Sequence, residues 1–108
     1  MSYEIKTDSS GQFRFNLKAG NGEIILSSEA YKQKESALAG IDSVRANGTD
    51  DANFERKVSS SNQPYFVLKA KNGQSIGRSE MYSSTAARDN GIASVQKNCG
   101  STTVKDLT

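Results

Sequence analysis

The chain has 108 residues, with 14 basic and 12 acidic side chains for a formal charge of +2, and a mean hydropathy of −0.65. That length allows one domain, or two very small halves sharing a core. The charge lacks the basic excess usual in nucleic-acid binders, and no apolar run approaches the roughly 18 residues of a membrane span. Leu, Ile, Val and Phe number about 20, close to the level at which disorder sets in, but disorder also needs high net charge. The composition therefore describes a small folded domain with a thin core.

Tyr3-Glu4-Ile5-Lys6 alternates apolar and polar, as a half-buried strand does. Asp8-Ser9-Ser10-Gly11 is a turn. The clearest strand follows, with Phe13, Phe15, Leu17 and Ala19 on one face and Arg14, Asn16 and Lys18 on the other. Asn21-Gly22 predicts a type I′ hairpin. Glu23 to Ser27 returns as a third strand, and its continuous apolar run predicts that both faces are covered. From about Lys34 to Ala46 the spacing becomes helical, with Ala37, Ile41 and Val44 on one face. Gly40 lies inside this helix, where it costs about 1 kcal/mol against alanine, so a close approach to another element is expected there. Asn47-Gly48 ends the helix.

The same order then recurs at an offset of about 51 positions. Phe54-Glu55 repeats Tyr3-Glu4, and Tyr65 to Ala70 repeats the second strand with Phe66, Leu68 and Ala70 inward. Asn72-Gly73 is the second hairpin, Ser83, Ser84 and Thr85 offer helix caps, and Gly91, Ile92 and Val95 repeat Gly40, Ile41 and Val44. From Gln12 to Asn47, roughly 16 of 36 positions are identical between copies. Internal duplication follows. The expected fold is α+β: two tandem β-β-β-α repeats related by pseudo-twofold symmetry, forming an antiparallel sheet with two helices packed on it. Repeat 1 is expected at 1–48, a linker at 49–53, repeat 2 at 54–100 and a tail at 101–108, all within one domain. Val104-Lys105 is placed to add a short strand to a sheet edge. One copy buries too little apolar surface alone, so the halves pack as an intramolecular pseudo-dimer and the protein is expected to be a monomer.

Chemistry is sparsely marked. There is no histidine, which removes the commonest general base, and the one cysteine, Cys99, cannot build a disulfide or a zinc site. No cofactor or metal is expected. Cys99 and the absence of an apolar leader in Met1 to Lys6 predict a cytoplasmic protein. The repeated corners Ser28-Glu29-x-Tyr31 and Ser79-Glu80-x-Tyr82 offer Glu29, Tyr31, Glu80 and Tyr82 as a doubled binding lip. Symmetry could even let the two glutamates share a proton or a cation. The competing reading is a strand-to-helix corner held by its own hydrogen bonds. On the outward face of the second strand, Arg14, Asn16 and Lys18 become Tyr65, Val67 and Lys69. With Lys71 and Arg78, these aromatic and basic residues resemble the composition of sheet platforms that bind nucleic acid, although interspersed glutamates also fit a solvated face.

The paired L-K-A-x-N-G, S-E-x-Y and G-I-x-S-V elements, closed by Thr103-Val104-Lys105-Asp106, resemble the YegP-like family of small uncharacterised bacterial proteins in its duplicated form. The resemblance spans essentially the whole chain. It implies tandem β-β-β-α repeats in a cytoplasmic bacterial protein, and it carries no established activity or catalytic residue. The expected function is a non-enzymatic binding or interaction protein whose partner is an unknown protein or small ligand. The alternatives are a weak nucleic-acid binder using Tyr65, Lys18, Lys69, Lys71 and Arg78, and a small enzyme of unknown reaction.

Overall fold

Alternation, turn chemistry and helical spacing give nine elements in the computed structural model, which describes all 108 residues. They are β1 (Ser2–Thr7), β2 (Phe13–Lys18), β3 (Ile24–Ser28), α1 (Lys34–Asn47), β4 (Phe54–Val58), β5 (Pro64–Lys69), β6 (Ser75–Arg78), α2 (Thr85–Asn98) and β7 (Val104–Asp106). A 3-10 turn over Asp51–Asn53 links the halves. Both repeats share one sheet, ordered β4-β5-β6-β3-β2-β1-β7. The central pair, β3 and β6, runs antiparallel with Ser27 opposite Arg78. Those two residues occupy equivalent places in the two copies, so the pseudo-twofold axis passes between them. The duplicated α+β architecture expected from the repeat is thus the one found.

Both helices lie on one face of the sheet. Phe15, Leu17, Leu26, Phe66 and Leu68 from the strands meet Ile41, Val44, Ile92 and Val95 from the helices in a single core. Burial of each such side chain contributes about 1.5–3 kcal/mol. Where the helix backbone needs room, glycine supplies it. A Cβ at Gly40 would lie 2.7 Å from the Tyr31 hydroxyl and 2.9 Å from the Phe15 ring, and one at Gly91 would lie 2.2 Å from the Tyr82 hydroxyl. The expected close approach is therefore made to the sheet side, by the corner tyrosines and the Phe15 and Phe66 rings of β2 and β5.

Two local expectations change. Neither hairpin is type I′, because only Gly22 (φ 83) and Gly73 (φ 85) adopt positive φ, while Asn21 and Asn72 do not. Gly22 N–H donates to Ala19 O at 3.0 Å and Ala19 N–H to Glu23 O at 2.9 Å. This is a type I turn followed by a glycine bulge, and the register shifts at Leu17/Lys18 accordingly. Gly48 is not a left-handed cap either (φ −72). It is small because a Cβ there would meet Cys99 Cβ at 2.8 Å. Cys99 is the residue equivalent to Gly48 in the second copy, so here too the halves meet. Ser84, among the capping residues expected, accepts the Ala87 N–H at 3.1 Å, whereas Gln33 makes no side-chain cap.

The C-terminal segment breaks the symmetry. β7 pairs parallel to β1, with Tyr3 N–H donating to Thr103 O at 3.0 Å and Leu107 N–H to Ile5 O at 2.8 Å. The sheet is therefore mixed. Covered by β7, Ile5 is fully buried. On the opposite edge no strand covers β4, and the equivalent residue is the exposed Arg56, paired with Asp51 at 3.1 Å and Asp89 at 3.2 Å. Charge on an uncovered edge blocks indiscriminate strand pairing.

Candidate functional site

The Ser-Glu-x-Tyr corners are built alike. Ser28 Oγ accepts Phe15 N–H at 2.9 Å and donates to Glu29 O at 2.7 Å, and Ser79 does the same with Phe66 N–H (3.0 Å) and Glu80 O (2.8 Å). Tyr31 stacks on Phe15 at 6.4 Å between ring centroids and Tyr82 on Phe66 at 6.3 Å, each ring lying over a helix glycine. Burial, with a smaller contribution from Glu29, pushes the Tyr31 phenol up; burial, then Glu80 and Glu23, does so for Tyr82. Serine and tyrosine therefore hold the corner together. The glutamates stay exposed and apart. Glu29 N–H donates to Ile76 O, so Glu29 lies level with Ile76, and Glu80 follows four residues later on that antiparallel run. Four residues of strand separate the two by about 13 Å. That span corrects the idea of a shared proton or cation. Glu29 reaches only the Ser75 hydroxyl, at 3.4 Å, and Glu80 lines a cleft with Lys18, Gly22, Glu23 and Ile24.

With both helices on one side, the other face of the sheet is open. Reading across its central row, the register sets Lys105, Glu4, Asn16, Ser27, Arg78, Val67 and Glu55 side by side. Lys6 lies opposite Arg14 on the repeat 1 side, and Lys57 lies opposite Tyr65 on the repeat 2 side. Tyr65, Lys69 and Arg78 thus come together on one surface, as the alternation predicts. Lys71 sits in the β5–β6 hairpin, in a shallow cleft of about 390 Å³ shared with Glu55 and Lys69. Glu55 is held below the usual carboxylate range by hydrogen bonding to Lys69 and by Lys57. Lys18 pairs with Glu4 at 3.1 Å, and Arg14 with Asp8 at 3.1 Å. Arg78, Lys6 and Lys105 have no carboxylate within 4 Å.

The two copies agree where the fold needs them and differ here. Helix-side residues Phe15/Phe66, Leu17/Leu68, Tyr31/Tyr82 and Gly40/Gly91 are kept. On the open face Arg14 becomes Tyr65, Asn16 becomes Val67 and Ser27 becomes Arg78, and at the corner Ala30 becomes Met81. Tyr82 N–H donates to Pro64 O while its ring packs on the helix side, and the preceding residue, Met81, is 43% exposed. The repeat 2 half therefore carries Tyr65 and Val67 edged by Lys57, Lys69 and Arg78, whereas the repeat 1 half carries Arg14, Asn16 and Ser27 at those places, with Ile24 beside Lys18. Met81 and Lys57 were missed among the candidate residues. Their signal was in the repeat itself, at the variable position of Ser-Glu-x-Tyr and opposite the first strand-face substitution.

Elsewhere the surface offers little. The remaining clefts, of about 430–520 Å³, are lined by no more than three hydrophobic residues each. No three Cys, Asp or Glu side chains converge as metal ligands would. Cys99 is fully buried, which pushes its thiol up, and its carbonyl accepts the Tyr3 hydroxyl at 2.5 Å. No helix is long and apolar enough to cross a membrane.

Comparison with known proteins agrees with this architecture. A family model described as a domain of unknown function (DUF1508) matches twice, at residues 8–55 and 59–106. The UPF0339 protein YegP of Yersinia pestis is 60% identical, over 98% of this chain and 95% of its own length. The solution NMR structure of a UPF0339 protein from Shewanella oneidensis is 56% identical with a TM-score of 0.92, covering 98% of this chain and 90% of that one. That of yegP from E. coli, titled a protein of unknown function, is 52% identical with a TM-score of 0.93, covering 98% and 91%. Fold, tandem matches and full-length relatives agree: the chain belongs to the YegP-like UPF0339 family, with the DUF1508 domain present twice.

Proposed function

We propose that this protein is a small, non-enzymatic binding module, acting as a cytoplasmic monomer, whose working surface is the repeat 2 half of the open sheet face. One observation carries the reading. Two copies of one ancestral surface retain their core residues, yet one copy has gathered the exposed Arg78 and Met81 and the half-buried Tyr65, with Val67 buried between its neighbours on the same strand face. Folding does not ask for Tyr65, Arg78 or Met81, because Arg14, Ser27 and Ala30 serve the same places in repeat 1. Tyr, Met and Arg are the side chains enriched in recognition surfaces. Glu29 and Glu80 stand at the rim of this face.

Site-specific photo-cross-linking tests the reading. A benzophenone side chain at position 65 should yield adducts in living cells, and R78E should abolish them. The same group at Leu38, exposed on α1, serves as the control. If position 65 gives no more adduct than position 38, the open face is solvated surface and the reading fails.

A further inference from the structure

We infer that the partner of this face is single-stranded nucleic acid, lying on a diagonal strip from Lys6 and Arg14, past Arg78, to Tyr65 and Lys57. The inference rests on the open face being the working surface and adds the chemistry of what it holds.

The strip follows from the register. Lys6 and Arg14 are directly opposed on β1 and β2. Like charges across a strand pair destabilise it, and both residues point away from the core; Arg14 is offset by its exposed pair with Asp8, whereas Lys6 has no carboxylate partner. Arg78 is exposed at the pseudo-twofold axis with no carboxylate partner. At the far end, Lys57 opposes the half-buried Tyr65, with Val67 two residues on along the same face of β5. Of the carboxylates on this face, Glu4 and Glu55 are paired with lysines, and the exposed Glu29 and Glu80 flank the strip. Glu4 turns to Lys18, Glu55 to Lys69 and Lys57, Glu29 to Ser75, and Glu80 lies by Lys18 and Ile24. The remaining pairs on the strip, Arg14 with Asp8 and Lys57 with Glu55, are exposed, and exposed pairs hold weakly enough for a phosphate to replace them.

Five strand spacings across and four residues along give the strip a length of about 27 Å. It thus presents cations at both ends and the middle, with an aromatic and apolar platform at one end. A repeating polyanion with flat bases matches both parts, and the span suits a site of about four nucleotides, the small end for sheet platforms. An acidic peptide would use the charges and leave the platform idle. A second copy would set this cationic strip against itself.

Fluorescence anisotropy of labelled oligo-U and oligo-dT of about 12 nucleotides, titrated with the full chain in about 20 mM salt, tests this. Binding should weaken with salt at a log–log slope of about −3, from four phosphate-facing cations at about 0.7 each. R78Q and K6Q should each make the slope shallower by about 0.7, and Y65A should weaken binding about tenfold. K97Q, an exposed lysine on α2, should change nothing. Amide NMR spectra of the variants check that each is folded. The inference is overturned if neither oligonucleotide binds, if K97Q weakens binding as much as R78Q, or if poly-glutamate competes equally while Y65A has no effect. Protease-sensitive adducts at position 65 without oligonucleotide binding overturn this inference and leave the binding face standing. No adduct and no binding remove both.

Discussion

Replacing Gly91 by alanine should destabilise the protein, against the rule that alanine improves a helix. Alanine favours the helix by about 1 kcal/mol. The new Cβ, however, would sit 2.2 Å from the Tyr82 hydroxyl, 2.7 Å from its Cζ and 3.2 Å from the Phe66 ring. Tyr82 must then swing away from Phe66, losing about 0.5–1.5 kcal/mol of ring packing, on top of about 1–3 kcal/mol for overfilling the site. The expected net cost is about 1–2 kcal/mol, or several degrees in Tm for a domain of this size. In a Y82A background the obstruction is gone and only Phe66, at a tolerable distance, remains. There G91A should stabilise, by up to about 1 kcal/mol. Gly40 should behave differently. Its Cβ would also lie 2.9 Å from the fully buried Phe15 ring, so Y31A should not reverse the cost of G40A. Urea titrations followed by far-UV circular dichroism on both double-mutant cycles measure these terms. Stabilisation by G91A in the otherwise unchanged protein would refute the argument that the tyrosines dictate these glycines.

Three further outcomes are expected. S28A should cost about 1–3 kcal/mol and S79A a similar amount, because each leaves a buried N–H, of Phe15 or Phe66, without its acceptor; the same urea titrations measure both. Removing residues 103–108 strips β1 of its Tyr3 and Ile5 hydrogen bonds and α1 of the Lys34–Asp106 pair, so size-exclusion chromatography should show concentration-dependent association through the freed β1 edge. Hydrogen bonds from Lys34 and Thr108 hold the Asp106 carboxyl at about 2. The folded value lies below the unfolded one, so this stabilisation is present above about pH 4 and is lost as the pH falls toward 2. D106N should flatten the stability curve over that interval, and carboxyl NMR of Asp106 should show its midpoint near the lower end.

The repeat was legible because folding constrains the same atoms twice. Phe15/Phe66, Leu17/Leu68, Ile41/Ile92 and the Ser-Glu-x-Tyr corners must each be present for a copy to close, so the succession of elements along the chain, helix spacing and duplication all stand in the amino-acid sequence. Local sequence also located both hairpins but mistook their turn, since Asn-Gly fits type I′ and a type I turn with a glycine bulge equally well until strand register is known. Tertiary structure decided the rest. Only the meeting of β3 and β6 at Ser27 and Arg78 joins the halves into one sheet, and that contact is long-range and carries no local mark. The same contact puts Arg78 between the Lys6–Arg14 pair and the Tyr65 patch, residues far apart in the chain, and it holds Glu29 and Glu80 apart. Periodicity can say which face a side chain takes within its own strand. Which strands lie next to one another depends on the pairing of whole repeats, and with it the surface on which a partner would lie.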